Sequence, residues 1–194
     1  MDITGILASY WWVLLAVLML ILNKYIFLLF GIVRIPENKI GLVNKKFKLI
    51  GSPTDLPNGR IVALKGEAGF QADTLAPGLK FGYWPWQYSV ILQDFTEVPE
   101  GKLGLLIARD GEPLEPHRIL ARRVDCDNFQ DARKFLEAKG QKGKQSGVLL
   151  TGLYRINTLL FEVQLADIVK IERNKVGIVD AQDGKPVPAG EISG

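Results

Sequence analysis

One nine-residue stretch recurs along this chain and constrains how the rest is divided. Ile35-Pro36-Glu37-Asn38-Lys39-Ile40-Gly41-Leu42-Val43 returns as Val98-Pro99-Glu100-Gly101-Lys102-Leu103-Gly104-Leu105-Leu106, and again as Ile171-Glu172-Arg173-Asn174-Lys175-Val176-Gly177-Ile178-Val179. Each copy runs apolar residue, turn, Lys, apolar residue, Gly, two apolar residues. A turn followed by a short apolar run bounded by Gly predicts the opening of a buried strand. Self-similarity of this kind marks structural units, and the unequal intervals argue against a strict solenoid. The expectation is one strand-opening device reused at successive module boundaries. It divides the chain into 1–34, a first β-rich module at 35–97, a second α+β module at 98–169, and an incomplete third repeat or tail at 170–194.

The segment ahead of the first copy is of another kind. From Ile3 to Val33 the chain is almost wholly apolar, broken at Asn23-Lys24, and predicts a transmembrane helix. In one placement Ile3–Leu22 spans, Lys24 sits at the headgroups and Tyr25–Val33 lies along the interface. In the other, Trp11 and Trp12 mark the outer aromatic belt and the span runs to about Val33, with Lys24 snorkelling. Insertion is favoured either way, because eleven Leu, Ile and Val residues between Ile3 and Leu22 contribute about −0.3 to −0.6 kcal/mol each against about +2.5 to +3.5 for a central Lys. A cleaved signal peptide is disfavoured, since no basic residues lead and no small-x-small site follows. Lys24, Arg34, Lys39, Lys45, Lys46 and Lys48 all follow the run and none precedes it, which predicts a single-pass membrane protein with its C-terminal part cytoplasmic. Lys45, Lys46 and Lys48 have two readings: contacts to anionic headgroups, or a solvated strand edge that resists aggregation.

In the first module, strands are expected at Ile40–Val43, Phe47–Ile50, Ile61–Leu64 and Tyr88–Leu92, separated by Gly-, Pro- and Asn-rich turns. The stretch Phe81-Gly82-Tyr83-Trp84-Pro85-Trp86-Gln87-Tyr88 is dense in aromatics, and Pro85 keeps it out of a central strand. Tyr83, Trp84 and Trp86 either rest at a lipid interface or cap the end of a β core.

In the second module, Leu120–Val124 reads as a strand and Asp127–Gly140 as a helix. Asp127 or Asn128 would cap that helix, Phe129 and Leu136 would pack it on the sheet, and Gly140 would supply its left-handed stop. The segment Gly140-Gln141-Lys142-Gly143-Lys144-Gln145-Ser146 lacks phosphate-loop spacing, follows a helix and opens a strand, so it reads as a basic turn. Two further strands are expected between Val148 and Val163, about Asn157-Thr158. The third copy is expected to form a hairpin through Asp183-Gly184. The fold class predicted is thus α+β: a transmembrane helix, then β-rich modules with one short helix packed on the sheet.

Leu75-Ala76-Pro77-Gly78-Leu79-Lys80-Phe81 resembles the Pro-Gly-Leu-His-Phe element of the SPFH (Band 7) superfamily of stomatin, prohibitin and flotillin, with Lys80 in the His position. Ile35–Val43 resembles the strand that opens that domain after a membrane segment. Asn128-Phe129-Gln130-Asp131, Gly140-Gln141-Lys142-Gly143 and Tyr154-Arg155-Ile156-Asn157-Thr158 resemble a flotillin-like bacterial subgroup. The resemblance implies a scaffold that organises membrane microdomains by lateral self-association. It further implies homo-oligomers or related SPFH proteins as partners, and membrane proteases besides. Family members continue into an Ala/Glu-rich coiled coil that drives assembly, and this sequence carries none, which leaves cage formation in doubt.

Net charge is only +3, with acids and bases interspersed, so nucleic acid is not an expected partner. Cys126 is the lone cysteine and His117 the lone histidine, which excludes a disulfide framework and nearly excludes a His/Cys metal site. No dinucleotide fingerprint or Gly-x-Ser-x-Gly is present, and no cofactor is expected. The expectation is a protein without catalytic activity. The alternatives are a membrane-tethered hydrolase using Cys126, with His117 as base, or Ser146, and a truncated SPFH fragment that anchors but assembles nothing.

Overall fold

The computed structural model of the chain describes residues 3–48, 56–57, 59–180 and 183. Helix α1, Ile3–Leu29, precedes two modules built from strands of matching lengths. The first module has β1 (Val33–Ile35), β2 (Lys39–Lys45), β3 (Gly69–Leu75), β4 (Gly78–Lys80) and β5 (Tyr88–Asp94). The second has β6 (Thr96–Val98), β7 (Lys102–Ala108), helix α2 (Ala132–Glu137), β8 (Gly143–Leu149), β9 (Gly152–Tyr154) and β10 (Phe161–Asp167). Beyond α1 the described residues are mostly β, in antiparallel sheets, with one short helix, as the β-rich expectation has it.

The recurring stretch sets this plan. In the first two copies the Lys N–H closes the turn onto the carbonyl three residues back, Lys39 to Pro36 at 3.1 Å and Lys102 to Pro99 at 3.2 Å. The strand that follows becomes the centre of a three-stranded sheet, β3-β2-β5 in one module and β8-β7-β10 in the other. The short strand before the turn pairs separately, β1 with β4 and β6 with β9. Both central strands carry an irregularity at the same step, between Leu42 and Asn44 and between Leu105 and Ile107. The motif glycine is explained by close approach. A Cβ on Gly41 would lie 2.9 Å from Ile35 Cδ1 and 2.9 Å from Val90 Cγ1, and one on Gly104 would lie 3.1 Å from both Leu149 Cβ and Val98 Cγ2. The apolar residue ahead of the turn therefore folds back over the central strand, where only glycine leaves room.

The intervals between copies differ mainly because the connection from β7 to β8 is longer than that from β2 to β3 and admits α2. This helix is shorter than the sequence predicts. Asp127, Asn128 and Phe129 have φ of 52°, 49° and 63°, a left-handed run that no helix continues through. The cap is Asp131, whose carboxylate accepts from Lys134 N–H at 2.8 Å. At the other end the left-handed residue is Lys139 (φ 55°), not Gly140. The N–H groups of Lys139 and Gly140 donate to Leu136 (3.1 Å) and Phe135 (2.8 Å), the paired bonds of a Schellman stop. Gly140 is required for another reason: a Cβ there would lie 2.4 Å from the Phe135 ring.

The main core is shared by both modules. Val62 and Ala72 of the first lie in one buried cluster with Val98, Leu106, Phe129, Phe135, Leu149 and Phe161 of the second. Phe135 and Phe161 meet edge to face at 4.9 Å, and Phe129 meets Phe161 at 5.4 Å. Phe129 and Leu136 are buried as expected, but Phe129 reaches the core from the turn before α2. Helix α2 packs on β3 of the preceding module, and Arg133 binds the Asp73 carboxylate through Nε at 2.9 Å and Nη2 at 2.6 Å. A smaller cluster, Ile35, Val43 and Leu75 with Tyr83, Tyr88 and Val90 against it, fills the first module.

Several predicted strands are corrected. Ile61–Leu64 and Leu120–Val124 form only single bridges, Ala63 to Gln71 and Ala121 to Gln145, because each runs beside the third strand of its module for one residue. Phe47 and Lys48 are not strand, and 49–50 lie outside the described residues. Strand β3 joins two modules and carries polar residues, so its sequence shows no apolar alternation. Only Gly140–Lys142 remains of the basic turn, since Gly143–Ser146 already belong to β8. The third copy forms the turn, Lys175 N–H donating to Glu172 at 3.1 Å, but no strand follows among the described residues to 180. Val176, Ile178 and Val179 are at least 90% exposed, with no strand beside them among the described residues. Of the Asp183-Gly184 hairpin only Asp183 lies within the described residues.

Along α1 the side chains are described without a break from Tyr10 to Leu22, about 20 Å of helix at 1.5 Å per residue. That stretch falls short of the roughly 30 Å hydrocarbon core, and among the described residues no helix is long and apolar enough to cross a membrane.

Candidate functional site

The aromatic stretch is fastened to the foot of α1. The helix ends at Gly31 (φ 59°), with Ile32 N–H donating back to Phe27 at 2.8 Å, and the chain then meets the loop between β4 and β5. Tyr83 N–H donates to the Gly31 carbonyl at 2.9 Å, and Trp84 Nε1 donates to the Leu29 carbonyl at 3.1 Å. Leu29 is one of the last carbonyls of α1, which lack partners within the helix, so the indole satisfies a terminal acceptor. A Cβ on Gly31 would lie 2.9 Å from Trp84 N, so the close approach needs glycine.

The aromatic residues do not share one environment. Tyr83 meets Tyr88 edge to face at 5.4 Å within the smaller core. Burial, then the neighbouring Tyr88 and Asp73, push its phenol above the ordinary value. Trp84 is half-buried and stacks on Trp86 at 5.7 Å, while Trp86 is 56% and Phe81 66% exposed. The stretch therefore divides: Tyr83 and Tyr88 cap a β core, and Phe81 and Trp86 are exposed. Phe81, at the head of the aromatic stretch, directly follows the short strand β4. Trp11 and Trp12 are exposed on α1. Lys24 lies on α1, but its side chain is outside what is described.

Of the three lysines expected at headgroups or a strand edge, only Lys45 is withdrawn from solvent. Lys45 is buried and its ammonium donates to the Gly66 carbonyl at 2.6 Å, and Lys46 donates to the Pro85 carbonyl at 2.6 Å, bracing the aromatic loop. Lys48 is exposed.

The corresponding loop of the second module explains the first. Gln87 and Tyr88 N–H donate to the Trp84 carbonyl at 2.9 and 2.8 Å, and Leu160 and Phe161 N–H donate to the Asn157 carbonyl at 3.0 and 2.8 Å. Asn157 thus stands where Trp84 stands. Its fully buried amide donates to Ala72 of β3 at 3.0 Å. Each loop clasps the element that precedes its module: α1 in one case, the first module in the other.

Cys126 and Ser146 line one depression of about 440 Å³, together with Phe129, Gly147 and Val148. The Cys126 thiol is buried, points to the Val124 carbonyl at 3.6 Å, and is pushed up in pKa first by burial. Such a thiol is the reverse of an activated one. His117 is exposed, adopts φ 68°, and does not line this depression. The structure therefore does not assemble the thiol–imidazole pair. Among the described residues no group of His, Cys, Asp and Glu is gathered to hold a metal ion. Comparison with models of protein families, with curated proteins and with solved structures found no match.

Proposed function

We propose that the chain is a membrane-anchored scaffold of the SPFH type, in which α1 spans the bilayer once and the loop at its foot rests on the inner leaflet. The bond from Trp84 Nε1 to Leu29 carries this reading, because it fixes Trp86 and Phe81 at one end of an apolar helix. Trp12 lies roughly 26 Å along the helix axis from Leu29, near the roughly 30 Å hydrocarbon thickness. Tryptophans then mark both ends of the span, which favours the belt-to-belt placement over one ending at Leu22. Lys24 falls about 8 Å from the inner end, within reach of headgroups for a snorkelling side chain. Arg34, Lys39, Lys46 and Lys48 follow closely on the span, so the modules lie in the cytoplasm. The lipid bilayer is the first partner, and lateral association with further copies or related SPFH proteins organises microdomains and associated membrane proteases. The buried thiol supports a role without catalysis.

Depth-resolved fluorescence quenching tests the placement. In the chain carrying Trp11→Phe and Trp12→Phe, reconstituted in vesicles of brominated phosphatidylcholine, Trp84 and Trp86 should be quenched by bromine near the headgroups. Emission untouched by bromine at any depth would overturn it. Lateral association is read by native mass measurement in mild detergent, where a strict monomer across concentrations would count against a scaffold.

A further inference from the structure

The aspartate of the Asp-Gly pair recurs with the motif and makes the same contact twice. Asp110, buried in the second module, reaches back to the first, where its carboxylate accepts from Ile61 N–H at 2.7 Å and Val62 N–H at 3.1 Å and faces Arg60 Nε at 4.0 Å. Asp183 stands at the same distance after Gly177 as Asp110 after Gly104. It reaches back to the second module, accepting from Leu120 N–H at 2.9 Å and facing Arg118 Nε at 3.1 Å. The receiving segments match, Arg60-Ile61-Val62-Ala63 and Arg118-Ile119-Leu120-Ala121, and each alanine bridges to the third strand of its own module. At the equivalent step of the first copy stands Phe47, where no module precedes.

Beside the first of these sockets, β3 bears further intermodule contacts. Asn157 donates to Ala72, and Asp73 holds Arg133 of α2. The same steps of β8 are Ser146 and Gly147. There Ser146 is exposed, and both line the depression that also reaches Cys126 and Phe129.

We propose that this depression is the docking face for a third module of the same repeat, whose leading residues are already joined to the second module through Asp183. The occupant is specified by what the first interface uses. It brings an Asp-Gly turn to Arg118-Ile119-Leu120, an amide side chain to the Ser146 carbonyl, and an apolar surface over Phe129. Gly147 replaces Asp73, so the occupant needs no arginine clamp of the Arg133 kind. The modules then form a linear array in which each is seated on its predecessor, and α1 stands where the first module has no predecessor.

Hydrogen exchange on the full chain tests the latch. Asp183→Ala should speed exchange at Leu120 by about tenfold or more, the scale of a hydrogen bond to a charged group, and leave Ile61 and Val62 unchanged. Asp110→Asn should do the reverse. The docking face is tested with Ser146→Cys. Maleimide should label Cys at 146 readily in the full chain. It should do so at least about tenfold more slowly when residues 98–167 are repeated in register after Lys170, because burial removes access to the thiolate. Unchanged exchange at Leu120 in Asp183→Ala overturns the proposal. So does an added module that folds without slowing the labelling, or one that fails to fold on the face said to receive it.

Discussion

The motif glycine occurs in three copies with three surroundings, and alanine at each position measures what surrounds it. At Gly104 the new methyl would sit 3.1 Å from Leu149 Cβ and Val98 Cγ2 and 3.2 Å from Val163 Cγ1. One neighbour is a β-carbon, which cannot rotate away. At Gly41 the contacts are closer, 2.9 Å, with a third at 3.2 Å from Leu75 Cβ. Overpacking of this kind costs about 1–3 kcal/mol, and the reduced freedom of the unfolded chain offsets about 0.4–1 kcal/mol of it. Gly41→Ala and Gly104→Ala should therefore each lose roughly 1–2 kcal/mol. At Gly177 the only side chain met among the described residues is that of Ile171, whose Cδ1 would lie 2.5 Å away but which is 61% exposed. Gly177→Ala should stay within about 0.5 kcal/mol of the parent. Guanidinium unfolding in mild detergent, followed by near-ultraviolet circular dichroism, gives the midpoint shifts. Equal losses at Gly104 and Gly177, or none at Gly104, would refute the idea that a folded-back apolar residue demands this glycine.

Four further outcomes are expected. Phe135→Ala opens a cavity in the shared core and should cost about 3–5 kcal/mol, with both modules losing amide protection together; loss confined to the second module would contradict a common core. Asp131→Ala removes the α2 cap and should cost about 0.5–2 kcal/mol by the same denaturation, most visibly as faster exchange at Lys134. Cys126, raised in pKa by burial, should react slowly with iodoacetamide at neutral pH and faster only above the ordinary thiol range near about 8.5; rapid neutral reaction suppressed by His117→Ala would revive the hydrolase reading. Asp183 has its carboxyl held below the ordinary value of 3.8 by the Leu120 and Ile119 N–H groups and Arg118. Its latch should be intact above that value and lost as pH falls through the lowered one, so Leu120 exchange, corrected for intrinsic rate, should accelerate only in that acid range.

Much of the plan was legible in the sequence because it is local. The turn and the Lys-apolar-Gly order specify a strand opening wherever they occur, and both complete copies obey. The apolar run to Val33 likewise declares a long helix by composition alone. Helix α2 was overextended because Asp127-Asn128-Phe129 satisfies a helical pattern while its backbone is left-handed, a choice made by burying Phe129 against Phe161. Strand β3 was missed because its residues serve two modules at once, so its pattern follows no single sheet face. What tertiary structure alone decided is the joining of the copies. Asp110, Asn157 and Arg133 look like ordinary polar residues in sequence, and they act only because folding brings each against the preceding module, where unpaired backbone groups and Asp73 need partners. The third copy carries the same local signal as the first two, yet no strand forms among its described residues, since a central strand is stabilised by neighbours that its own residues cannot supply.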